Sequence, residues 1–166
     1  MTTSTTTPDL SPAALRHTFG AFPTGIALIA ANLNGKPTGM LASSFTTTSL
    51  QPPLAHISFD KSSTTWPSLR TAPLAGISIL STDNHRDIEL LRRPTEHRFD
   101  GMTLTHHPGD ALTLPNAIAT FLVSPHEDID TGDHITRFFR ILEHSRRPNA
   151  EPLVFHNSAI TALQQD

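Results

Sequence analysis

The chain contains no cysteine and no tyrosine. Without cysteine it has no disulfide, no thiolate nucleophile and no sulfur-ligated metal or cluster, so any redox chemistry must come from a bound cofactor. Without tyrosine, no phenol is available for stacking or for a hydroxyl contact. Long apolar runs are missing as well. The longest, Ile26 to Ala31 and Ile118 to Val123, fall far short of the roughly 20 residues that span a bilayer, and no charged stretch leads into an apolar one at the N-terminus. The expectation is a cytoplasmic protein that makes no membrane contact. Twelve basic residues against fifteen acidic ones give a net charge of −3, and no basic run is dense enough to track a phosphate backbone, which argues against nucleic acid. Three signatures are also lacking. There is no GxSxG nucleophile elbow and no HExxH zinc pair, and HEDIDTGDH from His126 to His134 lacks the glycine position and final glutamate of a calcium loop. No metal site is expected.

What remains suits one mainly β domain. At 166 residues the chain is long enough to bury roughly 70% of its unfolded surface. Residues 1–10 read as a disordered tail, Thr-rich and without apolar period, and residues 11–166 as a single domain. Ser11 before Pro12 predicts a helix N-cap, with Leu10 stapled onto Leu15. Leu15, Phe19 and Phe22 fall on one face of that helix and are expected to lie against the sheet. Ile26 to Ala31 and Thr38 to Phe45 predict a hairpin across an Asn-Gly turn. Leu54 to Phe59 follows as a strand after Pro52 and Pro53. Thr65 to Thr71 reads as a short helix, Leu74 to Leu80 as a strand, and Asp83 to Arg93 as a helix with an acidic start and basic end. Asn116 to Pro125, His134 to Glu143 and Leu153 to His156 complete the set. Short strands with few helices predict a closed or nearly closed antiparallel barrel.

The stretch Gly39 to Thr65, GMLASSFTTTSLQPPLAHISFDKSSTT, sets eleven Ser and Thr residues among apolar strand residues and ends near a lone lysine. Asp60 and Lys61 open its DKSS loop. Lys61 supplies a point charge, and Ser62, Ser63 and Thr64 add hydroxyls and successive backbone N–H groups ahead of a helix start, a geometry that suits an anion. The plainer reading of Lys61 is a solvated surface cation. Alternation turns Ser44 and Ala42 one way and Ser43 and Leu41 the other; each serine either meets a ligand or bonds main chain. Met40, Phe45 and Trp66 read first as core or interface anchors. Gly132-Asp133-His134 is the other chemical feature, a turn that feeds a strand. Its plainer reading has Asp133 capping main chain and His134 only beginning the strand.

Taken in register, the runs FGAFPTGIALI, KPTGMLASSFTTTSLQPPL, DKSSTTW, EHRFDG and TGDH resemble the flavin reductase-like family over about four fifths of the sequence. The resemblance implies the antiparallel FMN-binding split barrel with helical decoration. It further implies a homodimer that binds FMN or FAD at the subunit interface, reduces it with NADH or NADPH, and passes reduced flavin to a flavin-dependent monooxygenase. By position, Asp60, Lys61, Ser62, Ser63 and Thr64 match the family's phosphate loop. Met40, Leu41, Ser43 and Ser44 match the strand beside the isoalloxazine and ribityl chain, and Phe99 matches a loop near the flavin. Gly132, Asp133 and His134 match the element beside the nicotinamide, with His134 the catalytic residue that positions the ring. A flavin needs a phosphate cradle, donors for its pyrimidine end and an apolar wall for its dimethylbenzene end, and these residue types can supply them. Two positions depart from the family pattern. Phe139, with Arg137 and Arg140 nearby, stands where a small residue is common and is expected to narrow the dinucleotide path. Ile160 stands where an aromatic residue is common. A flavin carrier, store or sensor without efficient NAD(P)H turnover is the alternative in another class.

Overall fold

The computed structural model describes residues 7–163. The disordered tail expected over 1–10 therefore lies, for residues 1–6, outside the described residues. Helix α1 covers Pro12–Phe19, with Ser11 Oγ accepting the Ala14 N–H at 3.3 Å and Pro12 in the first turn. Strand β1 is Thr24–Gly25, β2 is Ala27–Leu33 and β3 is Lys36–Ala42. The expected turn joins β2 to β3, with Asn34 and Gly35 both at positive φ (53° and 80°). Then come β4 (Thr46–Leu50), β5 (Pro53–Asp60), α2 (Trp66–Leu69) and β6 (Ala75–Ile79). Helix α3 (His85–Leu91) follows a short 3-10 turn, and β7 (Thr105–His106) and β8 (Ala111–Thr113) are brief. The long hairpin of β9 (Ala119–Thr131) and β10 (His134–Arg146) precedes β11 (Leu153–His156) and β12 (Ala159–Ala162).

Every strand pairing is antiparallel among the described residues. The large sheet runs β4-β5-β10-β9-β6-β2-β8-β7 with β3 on the other edge of β2, and β1, β11 and β12 form a small second sheet. One interior cluster gathers Ala27, Ile29 and Ala31 of β2, Ile57 and Phe59 of β5, Ile77 of β6, Val123 of β9 and Phe139 of β10, with Met40 and Ala42 of β3 against it. Strands far apart in the sheet order meet there, so the sheet curls into a barrel, and Trp66 and Leu69 of α2 close it. Between β3 and β5 a side chain stands in for the ladder. Ser44 Oγ donates to the Ser58 carbonyl and accepts the Ser58 N–H, both at 3.1 Å.

Alternation on β2 explains why Ile26 to Ala31 is apolar at every position. Its odd residues face the barrel, while Ile26, Leu28 and Ala30 face a second core made with Leu80, Ile88, Leu91, Leu112, Leu114 and Leu153. Close approach is needed where β8 crosses, and Gly76 permits it: a Cβ there would lie 2.1 Å from the Leu112 carbonyl oxygen.

Five expectations are corrected. Residues 43 and 44 fall beyond the end of β3, because Ser44 has turned to Ser58. Strand β4 was not legible, since Thr46–Leu50 is polar and largely exposed and owes its conformation to pairing with β5. Strand β9 runs on through His126–Thr131, where Asp128 pairs across the ladder with Arg137. The face of α1 does not pack on the sheet: Leu10, Phe19 and Phe22 are 71%, 70% and 74% exposed, and no helix residue is buried. Phe139 does not narrow a ligand path. It is 2% exposed in the barrel interior, edge-on to Phe59 with centroids 6.5 Å apart. Five positions is an odd offset, so on a strand Phe139 faces opposite to His134. Arg137 is interior too, stacked 4.7 Å above Trp66, whose other face lies 3.8 Å from Phe59.

Phe139→Ala is therefore expected to cost about 3 to 5 kcal/mol of stability through a cavity in the barrel. Urea unfolding measures this, and the part of the protein that remains folded should bind its ligands as the wild type does.

Candidate functional site

Strand β5 ends and β10 begins as partners, Asp60 opposite His134. This single pairing sets the DKSS loop against the Gly132-Asp133-His134 turn. The Lys61 N–H donates to the Asp133 carbonyl at 3.0 Å, and Lys61 Nζ reaches Asp130 Oδ2 at 2.7 Å. That ion pair is exposed, 41% and 70% on its two sides, so it stabilises little and Lys61 can be redirected at small cost. Asp60 Oδ1 accepts both the N–H and the hydroxyl of Ser62, at 2.7 and 2.6 Å. These bonds hold the Asp60 carboxyl below the usual range.

The row of free amides expected in this loop is not present. Ser62 donates to Asp60 Oδ1 and Ser63 to the Asp60 carbonyl, while Thr65 and Trp66 both donate to Ser63 Oγ, at 3.3 and 3.2 Å. Ser63 Oγ thus takes up the amides of Thr65, the N-cap of α2, and of Trp66, and its own hydroxyl points to Met40 Sδ at 3.9 Å. The amide and hydroxyl of exposed Thr64 keep no protein partner among the described residues.

Behind the loop stands a residue the motif reading passed over. Arg98, beside Phe99 in HRFDG, donates from Nη1 to the Gly39 carbonyl at 2.7 Å and to Thr65 Oγ1 at 3.2 Å. It bridges the loop to the outer edge of β3, and its Nε is buried with no partner. Burial lowers the affinity of this guanidinium for its proton. Strand β3 pairs on one side only; by the two-residue repeat, the main chain of Leu41 faces the same open edge as that of Gly39. Phe99 packs with Leu41 and Ile160 against the outer core.

On the outer face of β5 and β10, His56, Ser58 and Asp60 oppose Phe138, Thr136 and His134. The Ser58 and Thr136 hydroxyls lie 2.8 Å apart, and burial pushes the His56 imidazole below its ordinary pKa. A cleft of about 610 Å³ opens over this face, lined by Ser43, Ser44, His56 and Ser58, with Phe19, Phe22 and Phe155 as its apolar wall. A smaller cleft of about 210 Å³, lined by Leu41, Ala42 and Ile160, shares Ser43 and Phe155 with it. His134 Nδ1 lies 2.7 Å from Asp133 Oδ1. The same contact keeps the Asp133 carboxyl below its usual pKa. Ser44 is committed to main chain, as its plainer reading had it. A further cleft of about 750 Å³, between the β2-β3 turn and α2, contains none of the expected site residues. Among the described residues no group of His, Asp and Glu is arranged to hold a metal ion, and no helix is long and apolar enough to cross a membrane.

The sequence pattern of the flavin reductase like domain matches residues 19–164. The stachydrine N-demethylase reductase subunit Stc3 of Rhizobium meliloti (strain 1021) is 35% identical over 132 residues, 78% of this chain and 57% of that protein. The chain thus spans little more than half the length of that relative. The FMN reductase (NADH) SmoA of Agrobacterium fabrum is 31% identical over 147 residues, covering 88% of this chain and 83% of that one. The solved structure of Streptomyces globisporus C-1027 NADH:FAD oxidoreductase SgcE6 in complex with NAD and FAD fragments superposes with a TM-score of 0.88 at 25% identity, over 97% of this chain and 98% of that chain. The curled antiparallel sheet is the split barrel of such reductase structures, and this chain belongs to the flavin reductase-like family.

Proposed function

We propose that this chain is a cytoplasmic NAD(P)H-dependent flavin reductase that binds FMN or FAD and supplies the reduced form to a flavin-dependent monooxygenase. The observation that carries the reading is the Asp60-His134 pairing, which joins the expected phosphate loop and the expected nicotinamide turn beside a cleft reached by Ser43 and Ser44. The residues fit a flavin. The cleft of about 610 Å³ is within the common range for cofactor sites, it has an aromatic wall, and the open edge of β3 offers main-chain groups at Leu41. The unpartnered Nε of Arg98 lies next to that edge. The relatives named as NADH-dependent FMN and FAD reductases, and the one named as a reductase subunit, support the choice of activity and partner.

When bound, flavin supplies the hydride acceptor, and the chain's own residues bind and orient. In this reading Met40, Leu41 and Ser43 run beside the ring and ribityl chain, while Ser44 fixes that segment through Ser58. Lys61, whose ion pair with Asp130 is exposed, would hold the flavin phosphate together with the N–H and hydroxyl of Thr64. Asp60, Ser62 and Ser63 hold the loop in shape through the bonds described, and Phe99 and Leu41 both pack against the outer core. Gly132 allows the tight turn at φ 80°. With Asp133 accepting from His134 Nδ1, Nε2 is left to accept from the nicotinamide carboxamide N–H₂ and fix the ring's angle. The carrier, store or sensor reading drew on Phe139, whose ring is interior; Ile160 is the remaining departure.

The reading is tested by adding NADH or NADPH anaerobically to the flavin-loaded protein and following the visible band. Bleaching at catalytic rate is expected; a band that persists would overturn it. His134→Ala should slow bleaching by about a hundredfold while leaving flavin affinity unchanged, since a misplaced donor costs rate and not flavin binding. Lys61→Ala combined with Thr64→Ala should weaken FMN at least about tenfold and leave riboflavin, which lacks the phosphate, unaffected. Equal losses for both flavins in a titration would move the phosphate elsewhere.

The dimer belongs to the same proposal. Phe19 and Phe22 border the cleft yet stay exposed, and a second copy laid over α1 would bury them and complete the flavin's wall. Light scattering is expected to give twice the chain mass of 18.1 kDa. A particle of single mass with full flavin affinity would refute the shared site.

A further inference from the structure

The cleft of about 750 Å³ between the β2-β3 turn and α2 shares no lining residue with the two clefts beside Ser43, and its chemistry differs from theirs. Its aliphatic lining includes Ala31 and Leu33 of β2 and Ala72 just beyond α2, all of which pack in the barrel cluster. Cross-strand partners share a face, so Lys36, opposite Leu33, and Thr38, opposite Ala31, stand on the barrel side of β2, where α2 packs. Asn32 alternates to the other side, and its Nδ2 donates to Asp110 Oδ1 at 3.4 Å. One cleft therefore meets a cation from one face of β2 and a carboxylate from beside the other.

The turn that carries Asp110 is fitted closely to this lining. Gly109 and Asp110 both have positive φ (69° and 64°), and a Cβ on Gly109 would lie 2.4 Å from Leu74 Cδ1, so only glycine lets the turn sit on that leucine. The hydroxyls differ in what they have left to give. Thr71 Oγ1 donates to the Ser68 carbonyl at 2.8 Å, and Thr38 Oγ1 to the Lys36 carbonyl at 3.4 Å. Lys36 Nζ and the Ser68 hydroxyl make no hydrogen bond or ion pair among the described residues. An ammonium and a hydroxyl with protons to donate, set in an alkyl lining, suit an anion with a hydrocarbon body.

What the cleft lacks narrows the class. No aromatic ring and no arginine line it, so it offers neither a stacking face for a base nor the planar fork that matches a phosphate. Lys36 is its one cation and Asp110 its one carboxylate. A single negative charge is matched at Lys36, and a second would be repelled by Asp110.

We propose that this cleft binds a small aliphatic monocarboxylate, with the carboxylate held by Lys36 and Ser68, the alkyl chain against Leu33 and Leu74, and Asp110 excluding a second anionic group. The site uses none of the residues of the flavin-reductase reading and stands apart from it.

The test uses three probes: hexanoate; hexanol, which keeps the chain without the charge; and adipate, which adds a second carboxylate. Titrated into the isotope-labelled full chain and followed by amide NMR, hexanoate is expected to saturate with the millimolar affinity that suits so few atoms. The signals of Lys36, Thr38, Ser68 and Thr71 should move, and those of Asp60, Lys61 and His134 should stay. Lys36→Ala should weaken hexanoate about fivefold and leave hexanol unchanged, and Lys36→Arg should recover part of the loss. Adipate should bind more weakly than hexanoate, and Asp110→Asn should bring the two together. Asparagine tolerates the same positive φ, and Lys36 is exposed, so unchanged thermal midpoints are expected and separate lost charge from lost fold. Hexanoate that does not saturate, or that saturates with its shifts at Asp60 and His134, would overturn the assignment. So would hexanoate affinity indifferent to Lys36→Ala, hexanol binding as tightly as hexanoate, or adipate binding the wild type as well as hexanoate does.

Discussion

The register between β5 and β10 is the constraint on which the rest depends. Seven residues of each strand pair without a shift, from His134 opposite Asp60 to Arg140 opposite Leu54. Because side chains alternate, this register sorts two populations at once. Ile57, Phe59, Arg137 and Phe139 go to the barrel interior, while His56, Ser58, Asp60, His134 and Thr136 go to the outer face under the cleft. A slip of one residue would bury the imidazole and carboxylate and expose the aromatic rings. The apolar set on the inner face therefore protects the geometry of the polar set, even though the two never touch.

Arg137 is a charged residue on the buried inner face of this strand pair, and its surroundings explain how it is tolerated. Arg137 donates from Nη2 to Asp128 at 2.7 Å and from Nη1 to the Arg70 carbonyl at 2.9 Å, with its flat face on Trp66. The guanidinium holds the Asp128 carboxyl below its usual pKa. A buried charge with its donors satisfied in this way is strongly destabilising only when its partner is removed. The stack of Phe59, Trp66 and Arg137 also anchors α2 over the barrel end. This fixes Ser63 and the loop before it, so the position of the candidate phosphate loop depends on interior packing as well as on its own hydrogen bonds.

Charge is divided across the site. Asp60, Asp130 and Asp133 surround the loop and turn, with Lys61 neutralising part of their field. Arg16 and Arg92 stand on the side of the clefts.

Much of this architecture is dictated locally and could be read from the chain. The Ser11-Pro12 cap, the Asn34-Gly35 turn, the doubly buried run of β2 and the order of the motifs each follow from short-range sterics and apolar period. The face occupied by Phe139 was also legible, since an odd offset from His134 on a strand decides it. Other features exist only in the assembled molecule. The strand at Thr46–Leu50 has no apolar pattern and forms because β5 offers it an edge. Whether Ser63 cradles an anion or takes up the amides that begin α2, and whether Ser44 faces a ligand or closes the barrel at Ser58, is settled by which amides come within hydrogen-bond reach. The exposure of Phe19 and Phe22 cannot be inferred from helical periodicity, which gives the apolar face but not the surface it meets. Sequence determined which residues could form strands, turns and ligand contacts, because those preferences act over a few neighbouring residues. Tertiary structure decided which groups kept a free donor, acceptor or charge, because that depends on partners far away in the chain.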